Sequence, residues 1–339
     1  MSFLNRSKHL VESYSSALFL LILVVVFTLT TNKHCFISAG NVGNILSDIS
    51  INLLIAVGMT FVIISAGIDL SVGSILAFTA VLVTSLLKHG LAIPIGSQSL
   101  VILPVLEPGV MLFIAIPIGL LAAAALGAFN GVMINKFSLP PFIATLAMMS
   151  IARGVAFLMC DAQPVSNLPA EYGVFGLGKV IDPVLHVPAL IGLAGAIFGW
   201  VLLARTSFGR YTYAIGGNEQ AARLSGIDIP KVKLKIYLMS GLLAGVAGII
   251  MSSQLGSGDP KLGQMYELNA IAAVALGGTS FLGGIGTIQG TVLGALIIGV
   301  LNNGLTLIGV DEFYQWLVKG AVILLAVIVD QMKLKAGSH

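Results

Sequence analysis

Charge is scarce in this sequence. Of its 339 residues only 9% are Asp, Glu, Lys or Arg, against 57% hydrophobic, and the mean hydropathy is +1.02. A soluble domain carries about 25% charged residues, so no water-soluble fold of this length could hide so much apolar surface. The net charge of +3 is too small to imply nucleic acid as a partner. Cysteine is scarcer still. Cys35 and Cys160 are too few for a disulfide framework, although both fall near expected external segment ends, which leaves a single bridge between them open. His9, His34, His89, His186 and His339 are scattered over loops and termini. They have no metal-ligand spacing and suggest no Ser–His–Asp set. The first apolar run is long and lacks a small-residue cleavage site after it, which argues against a cleavable signal peptide.

A phosphate loop is missing as well. Gly173–Val180, GVFGLGKV, nearly spells G-x-x-x-x-G-K-[ST], but Val180 stands where a Ser or Thr would hold Mg²⁺. The stretch lies in an expected external loop with no βαβ unit around it, so it reads as a chance match. Any ATP chemistry must belong to another chain, and no enzyme is visible.

What the sequence has in quantity is long apolar runs. A helix crosses the bilayer core in about 20 residues, fewer where it is broken or buried in protein. Ten segments qualify: Ala17–Leu29, Ile51–Ser65, Val72–Leu87, Val110–Ile134, Phe142–Met159, Val187–Leu203, Ile236–Met251, Asn269–Leu282, Ile285–Asn303 and Tyr314–Val329. Asn41–Asp48 is polar enough to lie at the interface before the second. The expected fold is all-α: a polytopic transmembrane helical bundle of about ten spans with broken or re-entrant segments. It forms a single transmembrane domain over residues 1–339.

Loop Lys and Arg set the orientation. With both termini cytoplasmic, eleven fall inside: Arg6, Lys8, Lys136, Arg205, Arg210, Arg223, Lys231, Lys233, Lys235, Lys333 and Lys335. Four fall outside: Lys33, Lys88, Lys179 and Lys261. The external segments then hold Asp48, Glu107, Asp161, Glu171, Asp182, Asp259, Glu267, Asp311 and Glu312. These acids form either a docking surface for an extracytoplasmic partner or a solvated rim.

The largest polar interruption is Arg205–Lys235, with six of the seventeen basic residues. At its centre Asn218 can cap a short helix, Glu219 to Ser225, by accepting a free backbone N–H. Glu219 suits the positive end of the helix dipole, Gly226 can take positive φ after the helix, and Pro230 hinders continuation. So short a helix would not persist alone in water, so packing against something is expected. It is either a surface helix that reverses the chain or a docking element for a soluble partner.

Two glycine-rich breaks, Ser65–Ser74 (SAGIDLSVGS) and Leu276–Gly290 (LGGTSFLGGIGTIQG), interrupt apolar runs. Broken backbone at membrane depth survives only where protein or a wet cavity satisfies it, and such interruptions point to transporter substrate paths. On that reading Asp69, Ser71, Thr279 and Ser280 offer hydrogen bonds along the path. The alternative is a pair of tight cytoplasmic turns. Arg153 lies well inside the fifth segment. A charge there costs roughly 2.5–3.5 kcal/mol on insertion scales, so it should meet a carbonyl cluster or an acid, or contact substrate. Lys319 has a stem long enough to snorkel outward. The pairs Gly127/Gly131, Gly195/Gly199, Gly241/Gly245 and Gly290/Gly294 read as close helix packing.

Five blocks carry a resemblance: GMTFVIISAGIDLSVGSILA, ATLAMMSIARG, RYTYAIGGNEQAARLSGI, YELNAIAAVALGGTSFLGGIGTIQGTVLGALIIGVLNNGL and VKGAVILLAVIVD. Together, over about residues 41–330, they resemble the ribose-type ABC importer permeases, whose relatives also carry xylose, allose, galactose and other monosaccharides. The resemblance implies a bacterial inner-membrane permease paired with a second copy or a sister permease. It also implies a cytoplasmic ABC ATPase that binds the ATP and Mg²⁺, a periplasmic sugar-binding protein, and no cofactor in this chain. By the same resemblance the loop at about 205–235 matches the coupling helix that docks the ATPase. Gly217, Asn218, Glu219, Ala221, Ala222, Arg223, Ser225 and Gly226 fall on its motif. The chain departs from the ribose-type pattern mainly between Leu87 and Val110, where an external loop with Pro94, Pro104 and Pro108 looks longer. A secondary transporter or channel is the rival reading, with Asp69 as the acid near a break. A purely structural membrane subunit is a third.

Overall fold

A computed structural model describes residues 3–31, 35–95, 98–311, 313–321, 324 and 328, with side chains from residue 16 onward except at 91–102. Lys33, His34, Glu312, Lys333, Lys335 and His339, part of the segment Tyr314–Val329, and the side chains of Arg6, Lys8 and His9 lie outside the described residues. The helices are α1 (Phe3–Thr30), α2 (Ala39–Ile64), α3 (Val72–His89), α4 (Pro108–Phe137), α5 (Pro141–Met159), α6 (Val174–Leu177), α7 (Val187–Arg205), α8 (Ser207–Gly217), α9 (Glu219–Leu224), α10 (Ile229–Leu255), α11 (Tyr266–Leu276) and α12 (Ile288–Leu307). Among the described residues seven of them, α2, α3, α4, α5, α7, α10 and α12, are long and apolar enough to cross a membrane. Ser16–Thr30 and α11 are shorter apolar helices. Large apolar side chains such as Phe113 (86% exposed) and Leu158 (81% exposed) stand outward on α4 and α5. Such a surface suits hydrocarbon rather than water, and the chain is a multi-pass membrane protein.

The chain forms two compact units, each discontinuous in sequence. The first holds Met1–Ile68, Ile181–Val232 and Leu268–His339. Its centre is α2, packed by α7 on one side and α12 on another, with α1 against α12. Gly192, Gly195 and Gly199 make a smooth stripe on α7 for α2. A methyl group on Gly195 or Gly199 would come within 2.5 Å of Leu54 or Val57. Lipid offers helices no hydrophobic drive to associate, so close approach along small residues has to supply the attraction.

The second unit holds Asp69–Val180 and Lys233–Glu267. Here α3 packs against α4 and α5, and α4 crosses α10 at the two glycine pairs. A methyl group on Gly127 would lie 3.0 Å from Gly241 Cα, and one on Gly245 would lie 2.6 Å from Ala123 Cβ. The glycine pairs are thus packing contacts. At one end of this unit Tyr172 plugs an apolar cluster of Val83, Leu86, Leu87, Met111, Ala115 and Ile249. Its hydroxyl hydrogen-bonds Ser252 Oγ at 2.6 Å.

Several expectations change. Asn41–Asp48 is not a separate segment before the second span but the opening turns of α2, which Ser38 caps by accepting from Asn41 N. Its polar groups find partners inside the unit: Asn41 and Asn303 exchange side-chain hydrogen bonds at 2.9 and 3.0 Å, and Ser47 meets His186 at 2.9 Å. No local pattern discloses a partner 262 positions away. The segment Asn269–Leu282 is helical only to Leu276, in the 11-residue α11, and α12 starts at Ile288 rather than Ile285. Much of Arg205–Lys235 is helix, in α8 and the start of α10. The short helix ends at Leu224, before Pro230, and Pro230 also stands in the first turn of the next helix, which has no use for its missing N–H. The long segment after Leu87 holds an antiparallel pair, β1 (Leu91–Ile95) and β2 (Gln98–Leu103), with Ile95 facing Gln98. Two shorter strands, β3 (Lys179–Ile181) and β4 (Leu185–His186), precede α7.

Candidate functional site

Asn218 does what its position suggested: its Oδ1 accepts from Ala221 N at 2.9 Å and starts α9. At the other end Gly226, at φ +81, lets its own N–H reach Arg223 O and that of Ile227 reach Ala222 O. That reversal satisfies the last carbonyls, and positive φ is the reason a glycine stands there. Ser225 closes the turn onto Ala221 O at 2.9 Å. Ala222 is buried, while Glu219 and Arg223 face outward and pair at 3.5 Å. Gly217 ends α8 with open space around it. So α9 is a short post of six residues, capped at both ends, with a charged outer face.

Sequence reasoning missed Leu224, the last residue of that post, which is 91% exposed. It stands beside the exposed Glu219–Arg223 pair. The signal was there: a large apolar residue in a polar helix between two caps.

Within the same unit, α8 joins this post to the second glycine-rich break. Tyr213 donates its hydroxyl to Gly286 O at 2.7 Å. Burial pushes that hydroxyl up to about 12, so it stays a donor at any physiological pH. Phe208 stacks on Phe61 of α2 with ring centroids 5.6 Å apart. Gly284 N donates to Ile64 O at 2.8 Å, and Gly216 fits so closely here that any side chain would strike Ile64 O and Gly284 N. In the break Thr279 is buried and its hydroxyl has no hydrogen-bond partner among the described residues. Ser280 is used locally, its Oγ accepting from Leu282 N at 3.3 Å.

In the other unit, the first break is a tied joint. Asp69, fully buried, accepts from Ser71 N at 3.0 Å and Ser71 Oγ at 2.6 Å through Oδ1, and from Ser240 Oγ at 2.8 Å through Oδ2. Asn130 donates to Ser71 Oγ at 2.9 Å. One carboxylate thus fixes the start of α3 to α4 and α10. Arg153, half-buried, donates through Nη1 to Pro260 O and Leu262 O, both at 2.6 Å, with the charges of Glu267 and Asp259 near enough to act on it. It meets the carbonyls expected of it. Asn130 and Ser240 were not anticipated; neither has a local sequence signal.

Among the described residues no group of three or more His, Cys, Asp and Glu could hold a metal ion. Gly173–Val180 is a 3₁₀ turn, a single helical turn and a strand, not a phosphate-cradling loop. Cys35 and Cys160 are free thiols.

The described residues thus form helices long and apolar enough to cross a membrane, with a capped, exposed post joined through α8 to a broken segment. The chain belongs to the family described as branched-chain amino acid transport system / permease component, whose model matches residues 41–327. It is 46% identical over 317 residues to the ribose import permease protein RbsC of Bacillus subtilis (strain 168), covering 93% of this chain and 92% of that one. It is 44% identical over 330 residues to RbsC of Escherichia coli (strain K12), covering 96% and 95%. To the D-allose transport system permease protein AlsC of the same strain it is 36% identical over 322 residues, covering 95% and 92%. No solved structure matches the chain significantly. The protein is a permease component and not an enzyme.

Proposed function

We propose that this chain is the membrane permease of an ATP-driven, binding-protein-dependent importer for a monosaccharide, ribose or a related pentose or hexose. The substrate class follows the sugar-import relatives, and the observation that carries the mechanism is α9, capped at both ends and presenting Glu219, Arg223 and Leu224. A soluble ATPase in the cytoplasm grips this post, and ATP with its Mg²⁺ binds there rather than on the permease. Nucleotide-driven closure of the ATPase moves α9, and the spans shift between inward- and outward-open. A periplasmic sugar-binding protein delivers the sugar at the opposite face, and a second copy or a sister permease completes the path. The loop charge favours both termini in the cytoplasm and about ten spans in a single permease domain, set in a bacterial inner membrane. Of the residues considered for the sugar path, Thr279 has the strongest support, because its hydroxyl is buried and unpaired among the described residues. Asp69, Ser71 and Arg153 already serve as ties between segments.

The test is co-purification and transport. In vesicles holding this chain, its ATPase and the sugar-loaded binding protein, changing Glu219, Arg223 and Leu224 together should release the ATPase and abolish ATP-dependent uptake while the chain still inserts. Full retention of the ATPase by that variant would refute the docking assignment. Sugar uptake by this chain alone, driven by an ion gradient, would refute the importer.

A further inference from the structure

The docking post has a way of moving the second break directly, through α8. Within this unit α8 is the segment that leads into α9, and three contacts of different kinds attach it to the residues around the break. They are the Tyr213–Gly286 hydrogen bond at 2.7 Å, the Phe208–Phe61 ring stack at 5.6 Å, and the side-chain-free fit of Gly216 against Ile64 O and Gly284 N. The break is not helical: Gly283 and Gly284 sit at φ +86 and +74, and residues 277–287 are held by turn hydrogen bonds, such as Ser280 N to Ile285 O and Gly283 N to Ser280 O, rather than by a helical ladder. At the same time, Gly284 N donates to Ile64 O, so displacement of the break is felt at the end of α2. A helix joined at one end to a post and tied along its length to a non-helical segment transmits displacement. A helix lying free on the surface would not.

We infer that Tyr213 is a positioning residue for transport: its hydroxyl couples movement of α9 to the backbone of the glycine-rich break beside Thr279. This deepens the permease reading and rests on it. Thr279 lies close by, since a methyl group on Gly286 would come 2.7 Å from Thr279 Oγ1. Pulling the Gly286 carbonyl therefore changes the surroundings of the one unpaired hydroxyl of the break described here. On this reading α9 grips the ATPase, while Tyr213 lies on α8 with its hydroxyl on Gly286 O.

The experiment uses the complete complex in vesicles with Tyr213→Phe, which keeps the ring and removes the donor. The ATPase should still be recovered with the chain, and the ratio of sugar moved to ATP hydrolysed should fall at least fivefold. Hydrogen exchange gives the second readout: the ATP-dependent change in protection of the amides at 284–290 should be present in the wild type and lost in the variant. An unchanged transport-to-hydrolysis ratio, or an unchanged ATP-dependent exchange pattern, overturns the link. If Tyr213→Phe fails to accumulate, the wild type carries the test: an ATP-dependent change in protection at 284–290 is expected, and its absence overturns the link. Failure of the reading beneath it looks different: if the docking assignment is wrong the ATPase stays bound whatever is done to Glu219, Arg223 and Leu224, and if the importer is wrong this chain alone moves sugar on an ion gradient.

Discussion

The carboxylate of Asp69 accepts the hydroxyl of Ser240, 171 positions later in the chain, at 2.8 Å. That bond, with the two from Ser71, determines what the acid is for. A proton- or ion-carrying acid in a membrane needs access to the ion and room to lose its partners. Asp69 is sealed, and both of its oxygens are occupied by donors of its own unit.

Replacing Asp69 by Ala strands three buried donors, and hydrogen bonds to a charged acceptor are worth about 1.5–3 kcal/mol each. The expected loss is roughly 3 kcal/mol or more, enough to deplete the folded chain in detergent. Asp69→Asn keeps one acceptor, and Ser240 can turn its hydroxyl to accept, so the loss should be nearer about 1 kcal/mol. Thermal unfolding of the purified variants separates the two. Wild-type stability in Asp69→Ala would remove the joint from the fold, and the ion-coupling role would reopen.

The contact of α4 with α10 predicts a sharp contrast between two glycines. At Gly127 a side chain has nowhere to go, since Tyr237 O and the Gly241 backbone stand against it. At Gly154, on α5, nothing lies within 4 Å. Gly127→Leu should therefore abolish accumulation of folded chain in the membrane. Gly154→Ala should accumulate normally and gain up to about 1 kcal/mol from helix propensity. Equal accumulation of both variants, measured on membranes from matched cultures, would mean the crossing tolerates separation.

These residues also show how far the sequence could be read. The post at 218–226 was legible because its signals are local: a cap, a dipole-matched acid and a positive-φ glycine lie within nine consecutive positions. The glycine pairs were legible as packing, though not as to which helix each would meet. The start of α2 was set too late because Asn41 and Ser47 are polar in sequence and partnered only in space, by Asn303 and His186. Likewise Ser240 and Asn130 gave no hint of serving Asp69, and an apolar composition could not show that helix stops at Leu276. Membrane sequences state hydrophobicity plainly. They state tertiary hydrogen bonds hardly at all.

The two thiols offer a test of placement that needs no partner protein. Cys35 is exposed, whereas burial pushes the Cys160 thiol above its ordinary value of 9.0, with the acids Asp259 and Asp161 adding to the rise and two backbone bonds opposing it. Only the thiolate attacks a maleimide. Near neutral pH Cys160 therefore holds less thiolate than an ordinary thiol, and it should label several-fold more slowly than Cys35 in intact cells given a membrane-impermeant reagent. The sign in pH is fixed by the same shift: Cys160 labelling should keep accelerating as pH is raised beyond 9.0. Both should label without a reductant, and both from the outside if the proposed orientation holds. Labelling only after reduction would mean that the thiols are paired, and labelling only after the cells are opened would invert the assignment of the loops. Faster labelling at Cys160 than at Cys35 would mean that the end of α5 is open to water and not packed as found.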